Sequence, residues 1–167
     1  FNGIFEGAVA GKSVPNYTIH ATYPDDEWVG DDPYHHAPTV GEFDLHLIHE
    51  GRHEELWKAL GANVKGDGTA FAVWAPNAQA VRVVGDFNGW NGVTHAMRVM
   101  GSSGVWELFV PGIGAGTKYK FEILTKAGTW ITKIDPMARR TEVPPATSSV
   151  VDVSDYKWRD KDWMDQR

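Results

Sequence analysis

The chain has 167 residues, no cysteine and a net charge of −6 at neutral pH. No Lys/Arg cluster offsets the acidic balance, which excludes nucleic acid and an anionic membrane surface as partners, since both need a basic face. Without cysteine there is neither a disulfide framework nor thiolate chemistry, a composition suited to a cytoplasmic protein.

No apolar run approaches the ~18 residues of a membrane span. The opening Phe1-Asn2-Gly3 lacks a basic signal-peptide region, and a chain opening on Phe reads as a piece of something longer. The length suits one ordinary domain, or a complete small domain with part of another. A 42% share of hydrophobic residues is ample for a core. Eight tryptophans raise the expectation of a stacking surface, although tryptophan is also an ordinary core residue of small β-sandwiches.

In chain order, residues 1–30 hold short β-like runs over 4–9 and 17–23, bounded by turn-formers at 11–16 and at Pro24-Asp25-Asp26. So few strands make a poor independent domain, and their edges need something to lie on. They read as the end of a β-domain whose start is missing, or as strands docked on the next domain. Residues 31–62 form a connector. Pro33 and Pro38 bias it toward extended backbone, and one helix is predicted over 52–60, with Leu56, Trp57 and Leu60 on one stripe and Gly61 at its stop.

Residues 63–153 read as a β-sandwich. Strands are predicted over 69–74, 80–84, 95–100, 105–110, 118–123, 128–131 and 149–153, with turn signals every ~8–12 residues. The run over 118–123 alternates cleanly: Tyr119, Phe121 and Ile123 lie on the buried face, and Lys118, Lys120 and Glu122 on the other. The tail, 154–167, is charged, carries two tryptophans and ends without a cap.

Several motifs dissolve on inspection. Gly7-Ala8-Val9-Ala10-Gly11-Lys12-Ser13 is one residue short of a phosphate-cradling loop, and Pro15 stands where its helix would run. His46, His49 and His53 with Glu50 and Glu54 lack the second histidine of the zinc-protease pattern and read as solvated surface. Gly112-Ile113-Gly114-Ala115-Gly116 is a turn between strands and opens no helix, so it binds no dinucleotide. Acid pairs such as Asp25-Asp26 and Asp31-Asp32 are sequence neighbours whose side chains point apart, whereas glycosidase chemistry needs carboxylates converging across a cleft. No catalytic residue, metal or cofactor is expected.

The informative segment is Gly85-Asp86-Phe87-Asn88-Gly89-Trp90-Asn91, which ends a strand and sets an aromatic on a Gly/Asn-rich turn. Together with Trp130 and Lys120 it offers planar rings beside a hydrogen-bond donor, the combination that matches the C–H face and hydroxyl edge of a sugar. The alternative reading is that Trp90 plugs one end of the sandwich.

The ordered set Phe71-Ala72-Val73-Trp74-Ala75-Pro76-Asn77-Ala78, Gly85 to Trp90, Trp106-Glu107-Leu108, Tyr119-Lys120-Phe121-Glu122 and Asp135-Pro136 resembles the starch- and glycogen-binding module of isoamylase N-terminal type. That module precedes the catalytic barrel of branching and debranching enzymes and occurs in the β-subunit of AMP-activated kinase. The flanking Asp32-Pro33-Tyr34, Gly41-Glu42-Phe43-Asp44-Leu45-His46 and Glu55-Leu56-Trp57-Lys58-Ala59-Leu60-Gly61-Ala62 look like the linker of glycogen branching enzymes. Asp162-Trp163-Met164 looks like the lead-in to their barrel.

The resemblance implies an all-β, immunoglobulin-like sandwich over 63–153, a linker with a short helix over 31–62, the remnant of a first β-domain over 1–30 and a barrel lead-in over 154–167. It implies a non-catalytic segment of a cytoplasmic bacterial enzyme that cuts α-1,4-glucan and rejoins it through an α-1,6 bond in glycogen biosynthesis. The implied partners are α-1,4-glucan or glycogen, held weakly, and the parent's own catalytic barrel. The sugar site implied by the kinase subunit is Trp90, Lys120 and Trp130, with a family asparagine falling at Ser148 or Ser149. A debranching or trehalose-releasing hydrolase, a regulatory glycogen-targeting module and a purely structural docking domain remain the alternatives.

Overall fold

The computed structural model describes residues 8, 10, 11, 17–25, 27–30, 32 and 34–167. The strand expected over 4–9 and the glycine loop of 7–13 fall largely outside them. The first described element is a hairpin of β1 (Ile19–Thr22) and β2 (Glu27–Gly30), closed where Pro24 and Asp25 turn the chain.

Two sheets form the sandwich. One takes β3 (Gly61–Lys65), β4 (Gly68–Trp74), β7 (Val105–Pro111) and β6 (Arg98–Val99), in that spatial order. The other runs β10 (Arg140–Thr141), β11 (Ser149–Val150), β8 (Lys118–Leu124) and β5 (Ala80–Gly85), with β9 (Trp130–Lys133) also paired to β8. Every pairing is antiparallel.

Alternation puts Phe71, Val81, Val83, Leu108, Tyr119 and Phe121 between the sheets, all of them buried, which gives an all-β, immunoglobulin-like sandwich core. Within it the Tyr119 hydroxyl donates to Asp135 Oδ2 at 2.5 Å, while Asp135 Oδ1 accepts from the Met137 N–H at 2.8 Å. A carboxylate with almost no exposed surface is thereby provided with donors.

β4 is buried on both faces because a third layer covers the outer face of its sheet. That layer is the segment between the hairpin and β3, with α1 (Glu42–His49) and α2 (Leu56–Ala59). Val40, Leu60, Ala72 and Val105 form a second apolar cluster, with Leu45, Ile48 and Leu56 packed against it.

The helix expected over 52–60 is confined to α2, and a further helix, α1, precedes it where none was expected. Leu45 and Ile48, three residues apart, supply the stripe of α1, which ends where Gly51 turns left-handed at φ 67°. His53 then bonds back to Asp44 (Nε2···Oδ1 2.9 Å) with its ring nearly enclosed, so it is not the solvated residue expected. Trp57 is exposed and leaves the buried side of α2 to Leu56 and Leu60.

The run expected over 95–100 shrinks to β6 because this segment changes sheets. His95 and Met97 bond the backbone of β5, whereas Arg98 and Val99 pair with β7. In the tail, α3 (Lys161–Asp165) forms where no element was expected. The chain just before the hairpin meets the segment after it through Tyr17, whose hydroxyl donates to Asp32 Oδ2 at 2.5 Å and whose ring lies edge-on to His35.

Candidate functional site

β8 generates the site by parity. Tyr119 and Phe121 take the core, so Lys118, Lys120, Glu122 and Leu124 project from the outer face, as the alternation predicts. Residues directly opposite each other in an antiparallel pair share a face. Val84 stands opposite Lys120, Arg82 opposite Glu122, Thr132 opposite Glu122 on the other side, and Trp130 opposite Leu124. Lys120 and Trp130 are thus on one face, separated by four positions of β8, about 13 Å at ~3.3 Å per residue.

Trp90 rises from the loop that follows β5. Asn88 holds this loop: its Oδ1 accepts from the Gly85 N–H at 2.9 Å, and its Nδ2 donates to the Val83 carbonyl at 3.0 Å. Phe87 packs against the core, stacked on Phe71 with ring centroids 5.9 Å apart. The end of the sandwich is closed by Phe87, and Trp90 is left 39% exposed.

Trp90 also has a φ of 62°, a left-handed conformation that is costly for a bulky side chain. Its N–H donates to the Gly85 carbonyl at 3.0 Å, which holds the turn closed. Gly92, two residues on, lies so close to the sheet that a Cβ there would meet Arg82 Cβ at 2.7 Å and Val84 Cγ1 at 3.0 Å. The loop is therefore folded onto the same outer face. Among the described residues, no hydrogen bond or ring contact joins Trp90 to Lys120 or Trp130.

Lys120 donates to Thr147 Oγ1 at 2.7 Å, which leaves two of its three ammonium protons for a ligand. It borders an open groove of about 430 Å³ lined also by Thr132, Ile134, Glu142, Pro144 and Thr147. Trp130 is 37% exposed and carries the Arg82 guanidinium over its ring, 4.1 Å from the centroid. Ser148 and Ser149 are both buried, and Ser149 Oγ accepts from the Asp135 N–H at 2.9 Å. Neither serine presents a side chain to the face, and the exposed hydroxyl of that loop belongs to Thr147.

Arg82, Thr132 and Thr147 escaped the sequence reading. The alternation of β5 puts Arg82 outward, but its partner Trp130 is reached only across an intervening strand. Among the described residues there is no group of three or more potential metal ligands, and no helix is long and apolar enough to cross a membrane.

The family model for carbohydrate-binding module 48 (isoamylase N-terminal domain) matches residues 59–138. Along almost its whole length the chain is also homologous to the N-terminal segment of bacterial 1,4-alpha-glucan branching enzymes. It is 56% identical to the 1,4-alpha-glucan branching enzyme GlgB of Leifsonia xyli subsp. xyli, over 99% of this chain and 23% of that protein. With the corresponding enzyme of Frankia casuarinae it shares 55% identity, over 99% of this chain and 21% of that protein. The chain thus spans less than a quarter of the length of these relatives. Among solved structures, the pullulanase from Bacillus acidopullulyticus aligns with 56% of this chain and 12% of its own, at 32% identity and a TM-score of 0.47.

Proposed function

We propose that the chain is the non-catalytic N-terminal part of a cytoplasmic 1,4-alpha-glucan branching enzyme, and that its sandwich holds an α-1,4-glucan on the outer face of β5, β8 and β9. The observation that carries this reading is that Lys120 and Trp130 share one face, against which the loop bearing the partly exposed Trp90 is folded. An indole takes the C–H face of a pyranose, and the ammonium donates to a hydroxyl. The strain at Trp90 supports it as well, because a backbone held against its preference marks functional positions more often than structural ones.

In this reading residues 63–153 are the sugar-handling module and 31–62 the linker fastened to it. Residues 1–30 end a preceding β-domain, and 154–167 lead to the catalytic barrel. Tyr156, Trp158, Trp163 and Met164 are all exposed, which suits a segment that is covered by that barrel in the parent enzyme. Transfer of a glucan chain needs a nucleophile and an acid/base converging on one bond, so both belong to the barrel. The chain alone is expected to leave amylose unchanged in iodine absorbance and reducing ends.

Titration with maltoheptaose, with thermal melts alongside, tests the sugar face. Trp90→Ala is expected to cost roughly 2 kcal/mol of binding, about thirtyfold in affinity, with folding retained. Absence of binding by the wild-type chain at millimolar maltoheptaose would overturn glucan binding and leave docking to the barrel as the module's task.

A further inference from the structure

Between the Lys120 end of the face and the Trp130 end lies one complete cross-strand row: Arg82 on β5, Glu122 on β8 and Thr132 on β9. A ligand that touches both Trp130 and Lys120 has to pass over this row, because Glu122 is the one outward residue of β8 between Lys120 and Leu124, the residue opposite Trp130. We infer that Arg82, Glu122 and Thr132 form a middle subsite that hydrogen-bonds the hydroxyls of the glucose units lying between the two aromatic ends. The inference rests on the reading of this face as a glucan site.

The chemistry of the row suits that task. The Arg82 side chain makes no hydrogen bond or ion pair within the described residues, and it is engaged by the stack on Trp130. Glu122 and Thr132 likewise have no side-chain partner among the described residues. One cross-strand row thus carries an arginine, a carboxylate and a hydroxyl with their hydrogen-bonding capacity unspent. A sugar hydroxyl both donates and accepts, so an arginine and a carboxylate on neighbouring strands meet both needs. A neutral ligand is favoured, since the row carries one charge of each sign.

The stack has a second effect. A planar guanidinium can lie on an indole and still present N–H groups at its rim, which a lysine ammonium cannot do. Arg82 thus occupies one face of Trp130 and fixes the plane of the ring, while its donors border the row. Gly92 walls the row on the β5 side. A Cβ there would come within 3.0 Å of Glu122 Oε2, so the loop backbone sits at the edge of the carboxylate.

The row predicts a dependence on chain length. Maltoheptaose crosses it, whereas maltose can occupy one aromatic end alone. Arg82→Met, Glu122→Gln and Thr132→Val are to be titrated with both sugars, with thermal melts and the indole N–H resonance of Trp130 followed in parallel. Each variant is expected to weaken maltoheptaose binding about fivefold to tenfold, at the level of a lost hydrogen bond. Maltose binding should change less than twofold in Glu122→Gln and Thr132→Val. Arg82→Met should also shift the Trp130 resonance in the free protein.

If Arg82→Met melts early, Glu122→Gln and the exposed Thr132→Val decide the matter. Maltoheptaose affinity within twofold of wild type in folded Glu122→Gln and Thr132→Val would overturn the middle subsite. The glucan reading would stand as long as Trp90→Ala still loses affinity. Failure of the wild-type chain to bind at all would remove both.

Discussion

Thr39 donates twice to Glu107 Oε2, from its backbone N–H and from its hydroxyl, both at 3.0 Å, although 68 residues separate the two in sequence. The other oxygen of this fully buried carboxylate meets Arg98 Nε at 2.7 Å, and Arg98 donates in turn to the His36 carbonyl at 2.6 Å. The segment that bears His36 and Thr39 is thus fastened to β6 and β7 by charged groups as well as by the apolar cluster beneath it.

Breaking this fastening should be expensive. Glu107→Ala leaves the half-buried Arg98 and two Thr39 donors without their acceptor, and loss of one member of a buried pair costs about 3–5 kcal/mol. Because Arg98 keeps some access to water, the low end of that range is expected in urea unfolding. The double variant Arg98→Met/Glu107→Leu should cost less than Glu107→Ala, since it leaves no orphan charge. A double variant no more stable than Glu107→Ala would mean that the charges themselves are not the source of the effect.

Trp90→Gly separates strain from binding more sharply than alanine does. Glycine adopts the left-handed region freely, and relief of roughly 1–2 kcal/mol of strain offsets its own entropic cost of about 0.5–1 kcal/mol. The melting temperature should therefore hold or rise slightly while maltoheptaose affinity falls. A melting temperature several degrees lower would show the indole to be a packing element.

The loop bearing Trp90 should weaken in acid. Burial holds the His95 pKa below its ordinary value of 6.5, and the ring lies edge-on to Phe87 at 5.1 Å. As pH falls through 6.5 the unfolded chain takes up this proton before the folded one, so the contribution is full above 6.5 and shrinks below it. Melting temperatures between pH 7.5 and 5 should drop less steeply for His95→Gln than for the wild type. Equal slopes would exclude His95 as the source.

At alkaline pH the sensitive group is Tyr119. Burial and the neighbouring Asp135 carboxylate raise its pKa far above the ordinary 10.0. Unfolded tyrosine ionises from pH 10 upward while the folded residue stays protonated, so stability is intact below 10 and declines above it. Tyr119→Phe should lose about 1–3 kcal/mol near neutrality, by depriving buried Asp135 of a donor, and should show a flatter decline above pH 10. Chemical denaturation at pH 8 and pH 10.5 reads both effects.

Much of the sandwich is legible in the sequence because alternation is a local property. Tyr119, Phe121 and Ile123 announce the buried side of β8 within six residues, and from them the outward direction of Lys120 follows. Other features depend on non-local partners. The Leu45/Ile48 stripe of α1 gains meaning only from the sheet face it covers, and β10 is two residues long, defined by its pairing with β11. Arg82 reads as an ordinary outward residue of β5. Its stack on Trp130 exists because β8 brings β5 and β9 within reach on either side, a relation that no spacing along the chain encodes.

The bond from Tyr119 to Asp135 has a consequence beyond stability. A slip of β8 by one position would turn Lys120 and Glu122 inward and Tyr119 and Phe121 outward, exchanging every side chain of the strand between its two sides. Because the tyrosine hydroxyl has one acceptor waiting at a single depth, the pair works as an index pin for the strand. The outer face is accordingly all or nothing. It cannot be detuned gradually by sliding β8, and variation that reshapes what it binds has to act through side chains while the frame stays put.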